Sequence, residues 1–125
     1  MMNEELKKQL RNRRICVVIP TYNNDKTIKT VVEKCLLYCD DIIVVTDGCT
    51  DRTADILHAI DGITIVSYPQ NRGKGYALKM GLRKALEMGF SYAITLDGDG
   101  QHYPEDIPLF LKANQQHPQS LIIGS

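Results

Sequence analysis

The chain has 125 residues, enough for one domain built around one core. Its 15 basic and 15 acidic side chains cancel, so no overall positive field points to a nucleic-acid partner. With 43% hydrophobic and 24% charged residues the composition is that of a globular domain, and no apolar run approaches the about 20 residues that cross a bilayer.

Residues Met1 to Arg14 are polar, with Leu6 and Leu10 one helical turn apart. They read as a short amphipathic helix or a leader, set apart from a domain over residues 15–125. The segment lacks the apolar stretch of a signal peptide, so the expected compartment is the cytoplasm. Ile15 to Ile19 is continuously apolar and closed by Pro20. Continuous rather than alternating apolarity indicates a strand buried on both faces. Asp25 to Tyr38 carries Ile28, Val31, Val32, Cys35 and Leu36, the stripe of a core-facing helix. Ile42 to Val45 is a second strand. Asp51 to Ile60 is a second helix with Thr50 or Asp51 available as N-cap. Ile63 to Val66 is a third strand, and Gly75 to Met88 a helix stopped by Gly89. Tyr92 to Leu96, Glu105 to Gln116 and Leu121 to Ile123 complete the series as strand, helix and strand. Strands alternating with helices at this spacing predict βαβ units. The expected fold is a Rossmann-like parallel sheet in three layers, α/β/α.

The four cysteines, Cys16, Cys35, Cys39 and Cys49, contain no Cys-x-x-Cys pair. Their spacing does not match structural zinc, and they read as reduced, mostly buried hydrophobes.

Chemistry gathers where strands end, the edge at which open α/β sheets bind ligands. The first strand is followed by Pro20-Thr21-Tyr22-Asn23-Asn24 and the second by Thr46-Asp47-Gly48-Cys49-Thr50-Asp51. The third leads to Asn71-Arg72-Gly73-Lys74-Gly75, and the fourth to Asp97-Gly98-Asp99-Gly100-Gln101-His102. Two carboxylates one glycine apart repel unless a cation joins them. Mg²⁺-like ions take one or two carboxylates and complete their shell with phosphate oxygens and water. Asp-Gly is also a common turn. An EF-hand loop is excluded, because its sixth and twelfth positions would be His102 and Pro108. Tyr22 offers a face on which a base can stack, and Asp47 an acceptor for a base or ribose. Gly73 and Gly75 let backbone approach phosphate, with Lys74 beside them as a cation. No Walker A loop or dinucleotide fingerprint is present.

Taken in order, these four segments resemble the nucleotide-binding half of the family 2 glycosyltransferases, which have the glycosyltransferase A fold. The branch that they resemble is that of dolichyl-phosphate mannose synthase and other polyprenyl-phosphate glycosyltransferases. The resemblance covers about residues 15 to 125. It implies that Pro20, Thr21, Tyr22 and Asn24 line the nucleoside pocket and that Val45 and Asp47 contact base and ribose. It implies that Lys74 lies near the donor and that Asp97, Gly98 and Asp99 meet its diphosphate. It also implies that Asp97, Asp99 and Gln101 hold Mn²⁺ or Mg²⁺. The donor would be a UDP- or GDP-sugar and the acceptor a polyprenyl phosphate or cell-envelope glycan, with inversion at the anomeric carbon. Thr46, Cys49 and Asn24 stand where the family often has Asp, Ser and Glu.

In the family the acceptor site and the catalytic base lie downstream of the fifth strand. The expectation is therefore a donor-binding part, truncated on its C-terminal side, inactive alone and reaching a membrane only within a longer protein. Asp106 reads as a first-turn helix acid rather than the base, and His102 as packing or support to the metal. The alternatives are a sugar-nucleotide pyrophosphorylase, which would carry a glycine-rich basic loop after the first strand, and a non-catalytic nucleotide-binding module.

Overall fold

The structure is a computed structural model and describes residues 2–98 and 104–116. The elements alternate along the chain: α1 (Met2–Asn12), β1 (Ile15–Thr21), α2 (Ile28–Tyr38), β2 (Ile42–Asp47), α3 (Thr53–His58), β3 (Thr64–Tyr68), α4 (Lys74–Glu87), β4 (Tyr92–Thr95), a 3₁₀ turn (Pro104–Asp106) and α5 (Ile107–Gln116). The four strands form one parallel sheet in the order β3-β2-β1-β4. The expected final strand over 121–123 lies outside the described residues.

Every residue of β1 and β2 is buried, as their unbroken apolar runs predict, because both sheet faces are covered. The period of two divides the strands between two cores. Ile15, Val17, Ile19, Ile42, Val44, Ile94 and Leu96 join Leu10 of α1, the α2 stripe, Leu57 of α3 and Ile107 and Leu111 of α5. The alternate residues Cys16, Val18, Ile43, Val45 and Ala93 meet Ala77 and Ala85 of α4. One helix thus covers one face and the other helices the opposite face, which gives the three expected layers. Small residues let α4 lie close to the sheet: a β-carbon on Gly81 would overlap Val18 Cγ1 and reach Val45 Cγ2 at 3.0 Å.

Residues 2–12 form the helix of the two alternatives for the N-terminal segment. Leu10 is buried in the shared core, and three of the basic residues are engaged. Lys7 and Arg11 pair with Asp40, and Arg13 Nε donates to Asn114 Oδ1 at 2.6 Å.

Several boundaries differ from the sequence reading, and three of the differences have a plain physical cause. α2 begins at Ile28 rather than Asp25, because the Asn24 carbonyl accepts from both Thr27 N–H and Ile28 N–H and closes a turn first. α3 begins at Thr53 with Arg52, neither Thr50 nor Asp51, at its N-cap, and Asp51 accepts from Thr53 N–H at 2.9 Å just ahead of it. β3 runs on to Tyr68, because its last residues pair with Thr46 and Asp47 of β2. The Thr46 and Ser67 hydroxyls, 2.7 Å apart, bridge the two strands.

Candidate functional site

The carboxyl ends of β1, β2 and β4 and the N-terminus of α4 enclose a cleft of about 310 Å³. Pro20, Thr21, Tyr22, Asn24, Asp47, Lys74, Asp97 and Gly98 line it, joined by Asn71, Gly73 and Ala77. Eight of the expected site residues are therefore brought together. Val45 is not among the lining residues. Strand alternation turns its side chain into the core beneath α4. Asp99, Gln101 and His102 lie outside the described residues. Asp106 is exposed in the 3₁₀ turn before α5, as a first-turn acid would be.

The first loop is shaped by asparagines. Asn23 takes a left-handed backbone, φ 50°, which asparagine tolerates. Its Oδ1 accepts from Thr50 N–H at 2.8 Å and Asp51 N–H at 3.3 Å, and its Nδ2 donates to Thr50 Oγ1 at 3.1 Å. Loop one is thereby fastened to loop two. Asn24 Oδ1 accepts from the Thr21 hydroxyl at 2.6 Å and from Tyr22 N–H at 3.3 Å. A backbone N–H can only meet the amide oxygen, so the amide NH₂ is the part left to face a ligand. Tyr22 is 47% exposed, so its ring face is open for stacking.

Asp47 is 3% exposed and faces the third loop. Its Oδ1 accepts from Arg72 N–H at 2.8 Å. Its Oδ2 accepts from Gly73 N–H at 2.9 Å and from Asn71 Nδ2 at 3.1 Å. The carboxylate expected to read the base or ribose thus lines the cleft and also clamps the entry to α4. Gly48 completes the clamp. Its φ is +63°, and a β-carbon there would overlap the Asn71 backbone nitrogen, so only glycine permits this approach. Above the clamp the Tyr76 ring meets Tyr68 edge-to-face, centroids 5.1 Å apart, and Arg72 sits 5.4 Å from the Tyr76 centroid. Burial, followed by the nearby Asp47 carboxylate, raises the Tyr68 phenol above its usual range.

Gly73, φ 96°, is the N-cap of α4, and no side chain caps the helix. An uncapped helix N-terminus carries free N–H groups and partial positive charge suited to phosphate. Lys74 stands at that end. Its Nζ lies 2.8 Å from Oδ1 and 2.9 Å from Oδ2 of Asp97.

Asp97 follows β4, whose ladder continues beyond its last residue. Leu96 N–H donates to Val18 O at 3.0 Å and Gly98 N–H to Pro20 O at 3.3 Å. Thr27, at the N-cap of α2, leaves the helix uncapped and donates its hydroxyl to Gly98 O at 2.8 Å. This tie was missed in the sequence. Thr27 sits 71 positions from Gly98, and a threonine before a helix ordinarily signals a cap. Asn71 was visible within its glycine-basic loop, but nothing local showed that it bonds Asp47.

The donor chemistry at Asp97 suits a hard divalent cation: a carboxylate at the cleft wall, already drawing a cation to both its oxygens. Among the described residues no group of three or more His, Cys, Asp or Glu side chains could hold a metal unaided.

Fold and cleft together define an α/β domain of the glycosyltransferase A type. The family described as Glycosyl transferase family 2 matches residues 16–125, and the chain belongs to that family. It is 33% identical to UDP-N-acetylglucosamine–dolichyl-phosphate N-acetylglucosaminyltransferase of Methanococcus voltae, across 89% of this chain and 51% of that protein. It is 32% identical to undecaprenyl-phosphate 4-deoxy-4-formamido-L-arabinose transferase of Edwardsiella ictaluri, across 82% of this chain and 34% of that one. The chain therefore spans between a third and about a half of these relatives. Among solved structures, glucosyl-3-phosphoglycerate synthase of Mycobacterium tuberculosis, in complex with Mn²⁺, UDP and glucosyl-3-phosphoglycerate, superposes with a TM-score of 0.68. Its identity is 27%, over 88% of this chain and 42% of that one.

Proposed function

We propose that this chain is the donor-binding part of a glycosyltransferase that takes its sugar from a UDP-sugar and delivers it to a polyprenyl phosphate. The observation that carries the reading is the convergence of Tyr22, Asn24, the uncapped start of α4, Lys74 and Asp97 on one cleft. Tyr22 stacks on the base and the NH₂ of Asn24 meets a base carbonyl. Uracil offers two such acceptors. The UDP in the solved relative and the UDP-sugar in the name of the archaeal relative support the same choice.

The α4 N-terminus and Lys74 bind the diphosphate. Asp97, with Asp99 and Gln101 beyond the described residues, would hold Mn²⁺ or Mg²⁺. Such an ion, when bound, supplies Lewis-acid neutralisation of the diphosphate as it leaves. The polyprenyl acceptor rests on the names of the two curated relatives; a lipid acceptor would bring the protein to a membrane, and the cytoplasmic face is part of the proposal. No described helix is long and apolar enough to cross one.

The test is calorimetric titration with UDP and GDP, each with and without Mn²⁺, on the native chain and on Asp97→Ala. Metal-dependent binding of UDP that Asp97→Ala abolishes is the expected result. Equal UDP binding with and without metal, or preference for GDP, overturns the reading.

A further inference from the structure

Lys74 and Asp97 come to the cleft from different elements, the first turn of α4 and the end of β4, 23 residues apart. The ammonium engages both carboxylate oxygens, at 2.8 and 2.9 Å. The two partners are unequal. The Asp97 side chain is 20% exposed and fixed by the strand, whereas that of Lys74 is 66% exposed on a flexible stem. Its backbone is held, because Gly73 N–H is bonded to Asp47, but its terminal atoms can swing.

A divalent ion ligated by Asp97 must take at least one of these oxygens at about 2.0–2.6 Å. The ammonium would then stand a few ångströms from a doubly charged ion, in a cleft that screens like charges less than bulk water does. Both cations cannot share the carboxylate at full strength. A nucleoside diphosphate removes the conflict, because its oxygens receive the ion and the ammonium at separate points.

We propose that Lys74 is a cation gate on this site. It occupies Asp97 when the donor is absent, and it transfers to the diphosphate when ion and nucleotide bind together. The proposal rests on the reading of Asp97 as a ligand of the metal–diphosphate pair. Its consequence is thermodynamic. Metal alone competes with Lys74 and binds weakly, whereas metal and nucleotide strengthen each other, and linkage makes that coupling reciprocal. A lysine that is simply a phosphate contact predicts weaker UDP binding on its removal and no change in the affinity for metal alone.

The experiment measures Mn²⁺ binding from the electron-paramagnetic signal of the free ion, alone and at saturating UDP. It uses the native chain, Lys74→Met and Lys74→Arg, with circular dichroism to show that each folds. Lys74→Met is expected to bind Mn²⁺ alone about threefold more tightly, the scale of one partly exposed ion pair. The gain in Mn²⁺ affinity on adding UDP is expected to be about tenfold or more in the native chain and to shrink towards one in Lys74→Met. Lys74→Arg keeps the charge and retains most of the coupling. Unchanged Mn²⁺ affinity in Lys74→Met, while the native chain binds Mn²⁺ and UDP together, overturns the gate and leaves the donor reading standing. Native chain that shows no joint binding of Mn²⁺ and UDP overturns both.

Discussion

Asp47 offers the sharpest test of how the cleft is held together. Replacing it by alanine removes a buried carboxylate that accepts Arg72 N–H at 2.8 Å, Gly73 N–H at 2.9 Å and Asn71 Nδ2 at 3.1 Å. Hydrogen bonds to a charged group are worth about 1.5–3 kcal/mol each. Asn71 and Arg72 are themselves exposed, so water reaches part of the loop and recovers some of that loss. The expected destabilisation is about 2–4 kcal/mol, a large share of the about 5–15 kcal/mol by which a domain is stable. Asp47→Asn keeps the shape but turns an amino group towards one of the N–H donors, and should cost about half as much, roughly 1–2 kcal/mol. Urea unfolding followed by circular dichroism measures both, with the midpoint shifted and the slope unchanged. Hydrogen exchange at Arg72 and Gly73 should quicken before the rest of the chain. The functional arm compares uridine with UDP. As a clamp on α4 and Lys74, Asp47 governs the diphosphate half of the ligand, so Asp47→Ala should weaken UDP while leaving the affinity for uridine unchanged. Stability within about 0.5 kcal/mol of native, the scale of an ordinary surface substitution, would refute the clamp. An equal loss of uridine and UDP binding would show instead that Asp47 holds the nucleoside.

Gly81→Ala should destabilise by about 1–3 kcal/mol through overpacking, less up to about 1 kcal/mol of helix propensity. The added carbon has no room beneath Val18 and Val45, whereas Gly75→Ala, which meets nothing within 4 Å, should be neutral or stabilising in the same urea titration. Burial pushes the Cys16, Cys35 and Cys39 thiols up to about 12. A chromogenic disulfide at pH 8 should therefore spare these three in the native chain and react slowly with half-buried Cys49. It should titrate all four in urea; fast native release of more than one thiol would contradict this. Burial pushes Asp51 upward, but the hydrogen bonds from Thr53 and from Asp25 N–H outweigh it and hold the carboxyl below the usual carboxylate range. Its contribution to stability is thus full above its unfolded pKa of about 3.9 and is lost as pH falls through the lower folded value. Asp51→Asn should lower stability at pH 7 and flatten the acid limb below about pH 4, and an unchanged acid limb would count against the assignment.

The architecture was legible because burial on both faces leaves a plain trace. Ile15–Ile19 and Ile42–Val45 are unbroken apolar runs, and only a strand between two helical layers needs one. The division of those runs between two cores follows from the period of two. The ends of elements were less legible, because they depend on bonds made at a distance. Asp25 could open a helix by its local chemistry, yet the bond from its N–H to Asp51 Oδ2 and the turn at Asn24 delay α2 to Ile28.

The site was legible as a set of strand-end loops and illegible in its wiring. A carboxylate at the end of a strand can face a ligand or a neighbouring loop, and nothing within Thr46-Asp47-Gly48 says which. Asp47 does both: it lines the cleft, and it bonds Asn71, Arg72 and Gly73, 24 or more positions away. The same holds for Thr27 and Gly98 and for Asn23 with Thr50 and Asp51. Apart from the bond of Asn71 Nδ2 to the Asp47 carboxylate, these ties share a property: each has a backbone N–H or carbonyl on one side, so breaking it leaves a main-chain group without its partner. The tie between Lys74 and Asp97 differs. It joins two side-chain charges, one of them largely in solvent, and either can find a new partner in a diphosphate or a cation at small cost. A ligand can exchange that link without breaking a backbone bond, and this is the physical ground for placing the switch there.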